Sequence, residues 1–136
     1  MDATLPFVDE HRTTIEAPRE LIWPRLREYV DRMLAANERG VFARLLGADP
    51  PAGFEVSEEV PGEQVVLSGR HRFSRYALVL EIDPSGEQTV LRARTFAAFP
   101  GPHGRVYRLL VISSRAHVVA TRRILESIRK TCLAER

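Results

Sequence analysis

Three runs between Val65 and Phe99 decide the fold. They read Val65-Val66-Leu67-Ser68-Gly69-Arg70-His71-Arg72-Phe73, then Tyr76-Ala77-Leu78-Val79-Leu80-Glu81-Ile82, then Leu91-Arg92-Ala93-Arg94-Thr95-Phe96-Ala97-Ala98-Phe99. A corner at Phe73–Arg75 and the breaker cluster Asp83-Pro84-Ser85-Gly86 separate them. Short alternating runs divided by turn residues predict antiparallel strands, here over 64–73, 75–83 and 88–99. Successive side chains on a strand point to opposite faces. One face therefore carries Val65, Leu67, Gly69, His71, Tyr76, Leu78, Leu80, Ile82, Leu91, Ala93, Thr95 and Ala97. Arg70, Arg72, Glu81, Arg92 and Arg94 fall on the other, which reads as a solvated face with cross-strand Glu–Arg pairs.

The same parity extends outward from these runs. A strand over 54–60 ends at Pro61-Gly62 and puts Phe54, Val56, Glu58 and Val60 inward. Phe7 to Glu16, rich in β-branched residues, predicts a first strand. With Ile15 inward, Thr13, His11, Asp9 and Phe7 share its side. Ala17-Pro18 ends that strand. Proline there and Glu20 soon after suit a helix start. Leu21, Ile22, Leu26, Tyr29, Val30, Met33 and Leu34 repeat at helical spacing, with Pro24 expected to kink the run. Gly40 ends it, and 41–47 reads as a short second helix before Asp49-Pro50-Pro51-Ala52-Gly53. After Pro100-Gly101-Pro102 the rest is helical, with Ser113-Ser114 as a candidate break and new cap. Strands grouped apart from helices predict an α+β fold, with an antiparallel sheet packed on a long C-terminal helix.

Composition agrees. The 136 residues, 44% hydrophobic and 28% charged, make one domain spanning 1–136, large enough for its own core. A single cysteine, Cys132, excludes a disulfide framework and a multi-cysteine zinc site. No apolar run approaches the roughly 18 residues of a membrane span. The opening Met1-Asp2-Ala3-Thr4-Leu5-Pro6 lacks signal-peptide character, so a cytoplasmic setting is the expectation. The histidines are scattered, so no metal is expected. Phosphate-loop, dinucleotide and serine-hydrolase signatures are absent, and no cofactor is expected.

Ile15-Glu16-Ala17-Pro18 through Trp23, followed by the meander and the long last helix, resembles the START-like, Bet v1-like superfamily. This is also called SRPBCC or polyketide cyclase/dehydrase-like. Gly69 to Tyr76 and Phe99 to Arg105 are similar to one small-protein branch of it. The resemblance covers nearly the whole chain. It implies a helix-grip fold: a curved antiparallel sheet wrapped around the C-terminal helix, with a hydrophobic cavity between them. Members bind lipids, sterols, hormones or polyketides, and some catalyse cyclisation or dehydration. The superfamily commonly has more strands than the five legible here, and it has no universal catalytic motif.

Polar groups interrupt the predicted inner face, and Gly69, Ala93 and Ala97 are small, which together suggest a pocket. His11, His71 and Tyr76 are the acid–base candidates: imidazole exchanges protons near neutrality and a phenol can donate to a carbonyl. Asp9 has the parity to orient His11. His11, Glu58, Leu67, His71, Tyr76, Leu78, Thr95, His117 and Thr121 are the candidate ligand-binding residues, with His117 and Thr121 one turn apart on the last helix. The expected partner is a small apolar molecule, such as a lipid or polyketide; nucleic acid is not expected, and the oligomeric state is left open. The competing reading is a cyclase/dehydrase-type enzyme using His and Tyr. A third is a basic interaction module built on Arg122, Arg123, Arg129 and Lys130.

Overall fold

A computed structural model describes residues 5–37, 54–71, 74–99, 101–113 and 115–134. The elements are β1 (Phe7–Ile15), α1 (Arg19–Asn37), β2 (Glu55–Val60), β3 (Gln64–His71), β4 (Ser74–Ser85), β5 (Gln88–Ala98), α2 (Gly101–Ser113) and α3 (Ala116–Ala134). The helix expected at 41–47 lies outside the described residues, as does the Arg72-Phe73 part of the corner. The strands form one antiparallel sheet in the order β1-β5-β4-β3-β2. β2 to β5 make the meander, and β1 closes it at the far margin. This is the expected α+β helix-grip arrangement.

Turn chemistry explains the meander. Glu63 N donates to Val60 O at 2.9 Å, and Gly62 sits at φ +80°. With Pro61 before it, that is a type II turn, whose third position favours glycine. β4 continues through Pro84, so the expected breaker cluster narrows to Gly86-Glu87. Pro84 is tolerated because β4's pairing with β3 ends at Glu81, which leaves no partner to receive its missing N–H. Gly86, at φ +67°, takes the first central position of the two-residue hairpin.

The main core lies between the sheet's inner face, α1 and α3. Ile22, Leu26 and Val30 form the fully buried stripe of α1; Leu125, Ile128 and Cys132 form that of α3. They meet Val65, Leu67, Leu80, Leu91 and Ala93 from the strands. Each such aliphatic side chain contributes roughly 1.5–3 kcal/mol of transfer free energy. Thr89 Oγ1 donates to Ala17 O at 2.9 Å, tying the β5 start to the bend before α1. The helical C-terminal region does divide. Arg115, at φ +62°, separates α2 from α3, and its carbonyl accepts from Val118 N and Val119 N.

Two bulges overturn part of the predicted face assignment. Between Phe7 and Asp9 the register shifts, so Phe7 pairs with Phe96 while Asp9 pairs with Thr95. Phe7 therefore leaves the inner face: it is 58% exposed and stacks edge-on against Phe96 at 5.6 Å. Between Val56 and Glu58 a second shift pairs Glu58 with Val66 and Glu59 with Val65. Glu58 and Val60 thus lie on the outer face, and Glu59 turns inward to meet Arg27 Nε at 2.9 Å. One extra residue inverts every side chain beyond it.

The outer face is also less uniformly wet than expected. Leu5, Val66, Ala77 and Val79 are buried there as a second apolar cluster, flanked by Phe96 and Ala98. Charged pairs surround it as expected: Arg92 meets Asp83 at 2.9 Å, and Arg94 pairs with Glu81 and Glu10.

Candidate functional site

Asp9, His11, Thr13 and Ile15 face inward from β1, opposite Thr95, Ala93, Leu91 and Thr89 of β5. The helix α3 lies along β1 and brings His117, Thr121 and Leu125 to the same junction at successive four-residue steps. His117 Nε2 donates to Asp9 Oδ2 at 2.7 Å, and His11 Nε2 donates to the same oxygen at 3.1 Å. Both imidazoles are 15% exposed and Asp9 is 24% exposed. One carboxylate oxygen therefore holds two rings, one from the strand and one from the helix.

The chemistry of that oxygen assigns the protons. A carboxylate only accepts, so each ring carries hydrogen on Nε2, and a neutral ring then has its lone pair on Nδ1. An acidic side chain that fixes an imidazole tautomer is the arrangement acid–base histidines use. Asp9 Oδ1 and His117 Nδ1 are buried with no partner among the described residues. A buried polar atom without a partner costs about 1–3 kcal/mol, so this cluster has hydrogen-bonding capacity to spare.

His11 also forms part of the wall of an open groove of about 500 Å³. The rest of its lining is Glu10, Arg12 and Thr13 from β1 and Arg122, Leu125 and Glu126 from α3. The groove runs along the margin where the last helix meets the first strand.

The other sequence-predicted residues divide. The register aligns Asp9, Thr95, Leu78, Leu67 and Val56 in one row across all five strands. Thr95 is thus Asp9's direct neighbour, while Leu67 and Leu78 are buried core further along. Tyr76 sits in the next row, between Gly69 and Ala97, with its ring edge-on to Phe54 at 5.0 Å. Tyr76 also borders a separate open depression of about 360 Å³ with Gly69, Arg70 and Arg75. His71 ends β3 opposite Ser74, and its side chain lies outside the described residues. Thr121 is buried, and its hydroxyl donates to His117 O at 2.7 Å within its own helix. Glu58 is removed to the outer face by the bulge, in a shallow depression with Gln64, Val66, Val79, Arg94 and Phe96.

The direct Asp9–His117 contact is beyond sequence reasoning, because no pattern says how far α3 slides along β1. Arg122 stands in the sequence only as part of a basic cluster. In that cluster Arg129 is paired with Glu126 at 3.0 Å. Among the described residues no group of three or more His, Cys, Asp or Glu side chains is placed to hold a metal ion. No described helix is long and apolar enough to cross a membrane.

No protein-family profile and no curated protein sequence matches the chain. Solved structures do. A conserved protein from Geobacillus kaustophilus is 14% identical, aligned over 92% of this chain and 94% of its own, with a TM-score of 0.57. The Mll3558 protein from Rhizobium loti is 19% identical over 94% and 99%, with a TM-score of 0.56. The TTHA0849 protein from Thermus thermophilus is 18% identical over 96% and 99%, with a TM-score of 0.52. At such identities the likeness establishes a shared fold that runs almost end to end.

Proposed function

We propose, from the premise that the chain has the Bet v1-like, START-like helix-grip fold, that it binds a small, largely apolar molecule at the junction of β1 and α3. The observation that carries this is the Asp9–His11–His117 cluster beside the groove. Buried polar atoms with spare capacity are costly, and binding sites are where such atoms are put to use. The methyl of Thr13 offers apolar contact above the buried Leu125; His11 offers an oriented hydrogen-bonding group. The fold supplies a scaffold for such a site and does not by itself specify a ligand.

Native mass spectrometry tests the reading. Freshly purified protein is expected to carry a discrete excess mass that vanishes on denaturation. Thr13→Arg, which fills the groove from an edge strand, is expected to abolish it. An excess mass retained undiminished by a folded Thr13→Arg variant would place the ligand elsewhere and overturn the groove reading.

A second reading, acid–base catalysis of the cyclase/dehydrase type, is favoured by one observation: Asp9 fixes the tautomer of a groove-lining imidazole. Under it, the co-purified molecule is converted on incubation, and His11→Asn stops conversion while the molecule is retained. Under the carrier reading the molecule is released unchanged.

A further inference from the structure

The charge of α2 and the first half of α3 is one-sided. From Gly101 to Leu125 the chain contains no Asp or Glu, while Arg105, Arg108, Arg115, Arg122 and Arg123 stand in the same stretch. These arginines are exposed, and none makes an ion pair or hydrogen bond with another described residue. Elsewhere arginines have carboxylates beside them: Arg12, Arg25, Arg27, Arg92 and Arg94 each meet one. Glu126, the acid that follows on α3, is engaged by Arg129 at 3.0 Å. Asp9 lies on the inner side of α3, against His117.

Each helix also holds an aliphatic side chain out among these charges. Val106 on α2 is 60% exposed, and Val119 on α3 is 66% exposed. Val119 and Arg123 each stand two positions from buried Thr121. At 3.6 residues per turn, that puts both on the side of α3 opposite its core stripe. Arg115 comes just before α3, and Arg105 and Arg108 flank Val106. The two helices are consecutive and pack on one another.

Guanidiniums without counter-charges, set around exposed aliphatic groups, complement anionic headgroups lying over acyl chains. An arginine can lay its stem along apolar surface while its fork reaches a phosphate. A nucleic-acid backbone would engage the same arginines and leave both valines in water. We propose that α2 and the first half of α3 dock the protein on an anionic membrane surface. Arg105, Arg108, Arg115 and Arg123 meet the lipid phosphates, and Val106 and Val119 enter the acyl boundary. The helices lie on the bilayer and do not cross it. This contact is on the side of α3 away from His117 and Leu125, apart from the groove.

The test is co-sedimentation of the full chain with vesicles of phosphatidylcholine alone and of equal parts phosphatidylcholine and phosphatidylglycerol. Binding is expected to the mixed vesicles only, and to weaken as salt rises. Arg115→Gln with Arg123→Gln is expected to lower affinity roughly 25-fold, at about fivefold for each arginine removed, and Arg105→Gln with Arg108→Gln to do the same. Val106→Ser with Val119→Ser is expected to lose about fivefold through lost apolar burial. Arg32→Gln, exposed on α1, is the control and should change nothing. Every substitution is at an exposed position, and unchanged thermal melting by circular dichroism verifies that the variants fold. No binding to the mixed vesicles, equal binding to both kinds, or undiminished affinity in either arginine pair or in the valine pair would overturn the proposal. A DNA duplex that displaces the protein from the vesicles and binds the valine variant undiminished would make nucleic acid the occupant and overturn it as well.

Discussion

Asp9 and His117 lie 108 residues apart in the chain and are joined by a 2.7 Å hydrogen bond. The bond links the first strand to the last helix. The same Asp9 oxygen holds His11, whose ring lines the groove between β1 and α3. Asp9→Asn removes the charge that both imidazoles face, and a loss of about 1–3 kcal/mol is expected by urea unfolding. A double-mutant cycle with His117→Gln should give a coupling of at least about 0.5 kcal/mol. Strictly additive effects would mean that the contact does not stabilise the junction. The Arg92–Asp83 pair, whose carboxylate side is half exposed, is the control, with coupling of about 0–1 kcal/mol.

Thr89 and Ala17 provide a second buried tether. Thr89→Val keeps the side-chain shape and leaves the Ala17 carbonyl without its 2.9 Å donor. The expected cost is about 1–3 kcal/mol, with Thr89→Ser losing less because it keeps the hydroxyl. Equal losses for the two variants would show that packing, and not the hydrogen bond, holds the bend before α1.

Phe7 separates the parity expectation from the bulged register. A phenylalanine in the core costs about 3–5 kcal/mol when cut to alanine. At 58% exposure on the outer face, Phe7→Ala should cost no more than about 1 kcal/mol. Leu80→Ala, at a fully buried inner position, should cost about 2–5 kcal/mol in the same assay. A core-sized loss at Phe7 would refute the bulge.

Gly62 isolates backbone strain. An added Cβ there would meet nothing within 4 Å, so a substitution acts through φ +80° alone. Gly62→Ala is expected to lower stability by about 1 kcal/mol, and Gly62→Asn by less, because asparagine tolerates the left-handed region better. A neutral Gly62→Ala would mean that the turn relaxes to another type.

Sequence parity is enough for much of the fold and part of the site. Alternation locates all five strands, and it puts Asp9 and His11 on one side of β1. It fails where the period itself breaks. Neither Val8 nor Ser57 is a glycine or proline, so nothing in the chain announces the bulges that move Phe7, Glu58 and Val60. The outer apolar cluster is hidden for a related reason. Val66, Val79 and Phe96 read as isolated residues among charges, and only the register shows that they adjoin. His117 stays undecided in the sequence because helical periodicity gives a face and not a height along the neighbouring strand.

The bulge at Ser57 also bears on how the chain can change length. Deleting Ser57 would remove the extra residue and return β2 to strict alternation with every partner kept: Val56 opposite Leu67, Glu58 opposite Val66, and Glu59 opposite Val65 within reach of Arg27. Drawing Ser57 into the ladder would do the reverse, carrying Glu58 to the core side and Glu59 away from Arg27. The inward seat of Glu59 therefore depends on Ser57 staying out of the pairing, and a chain one residue shorter at this margin would keep the same neighbours.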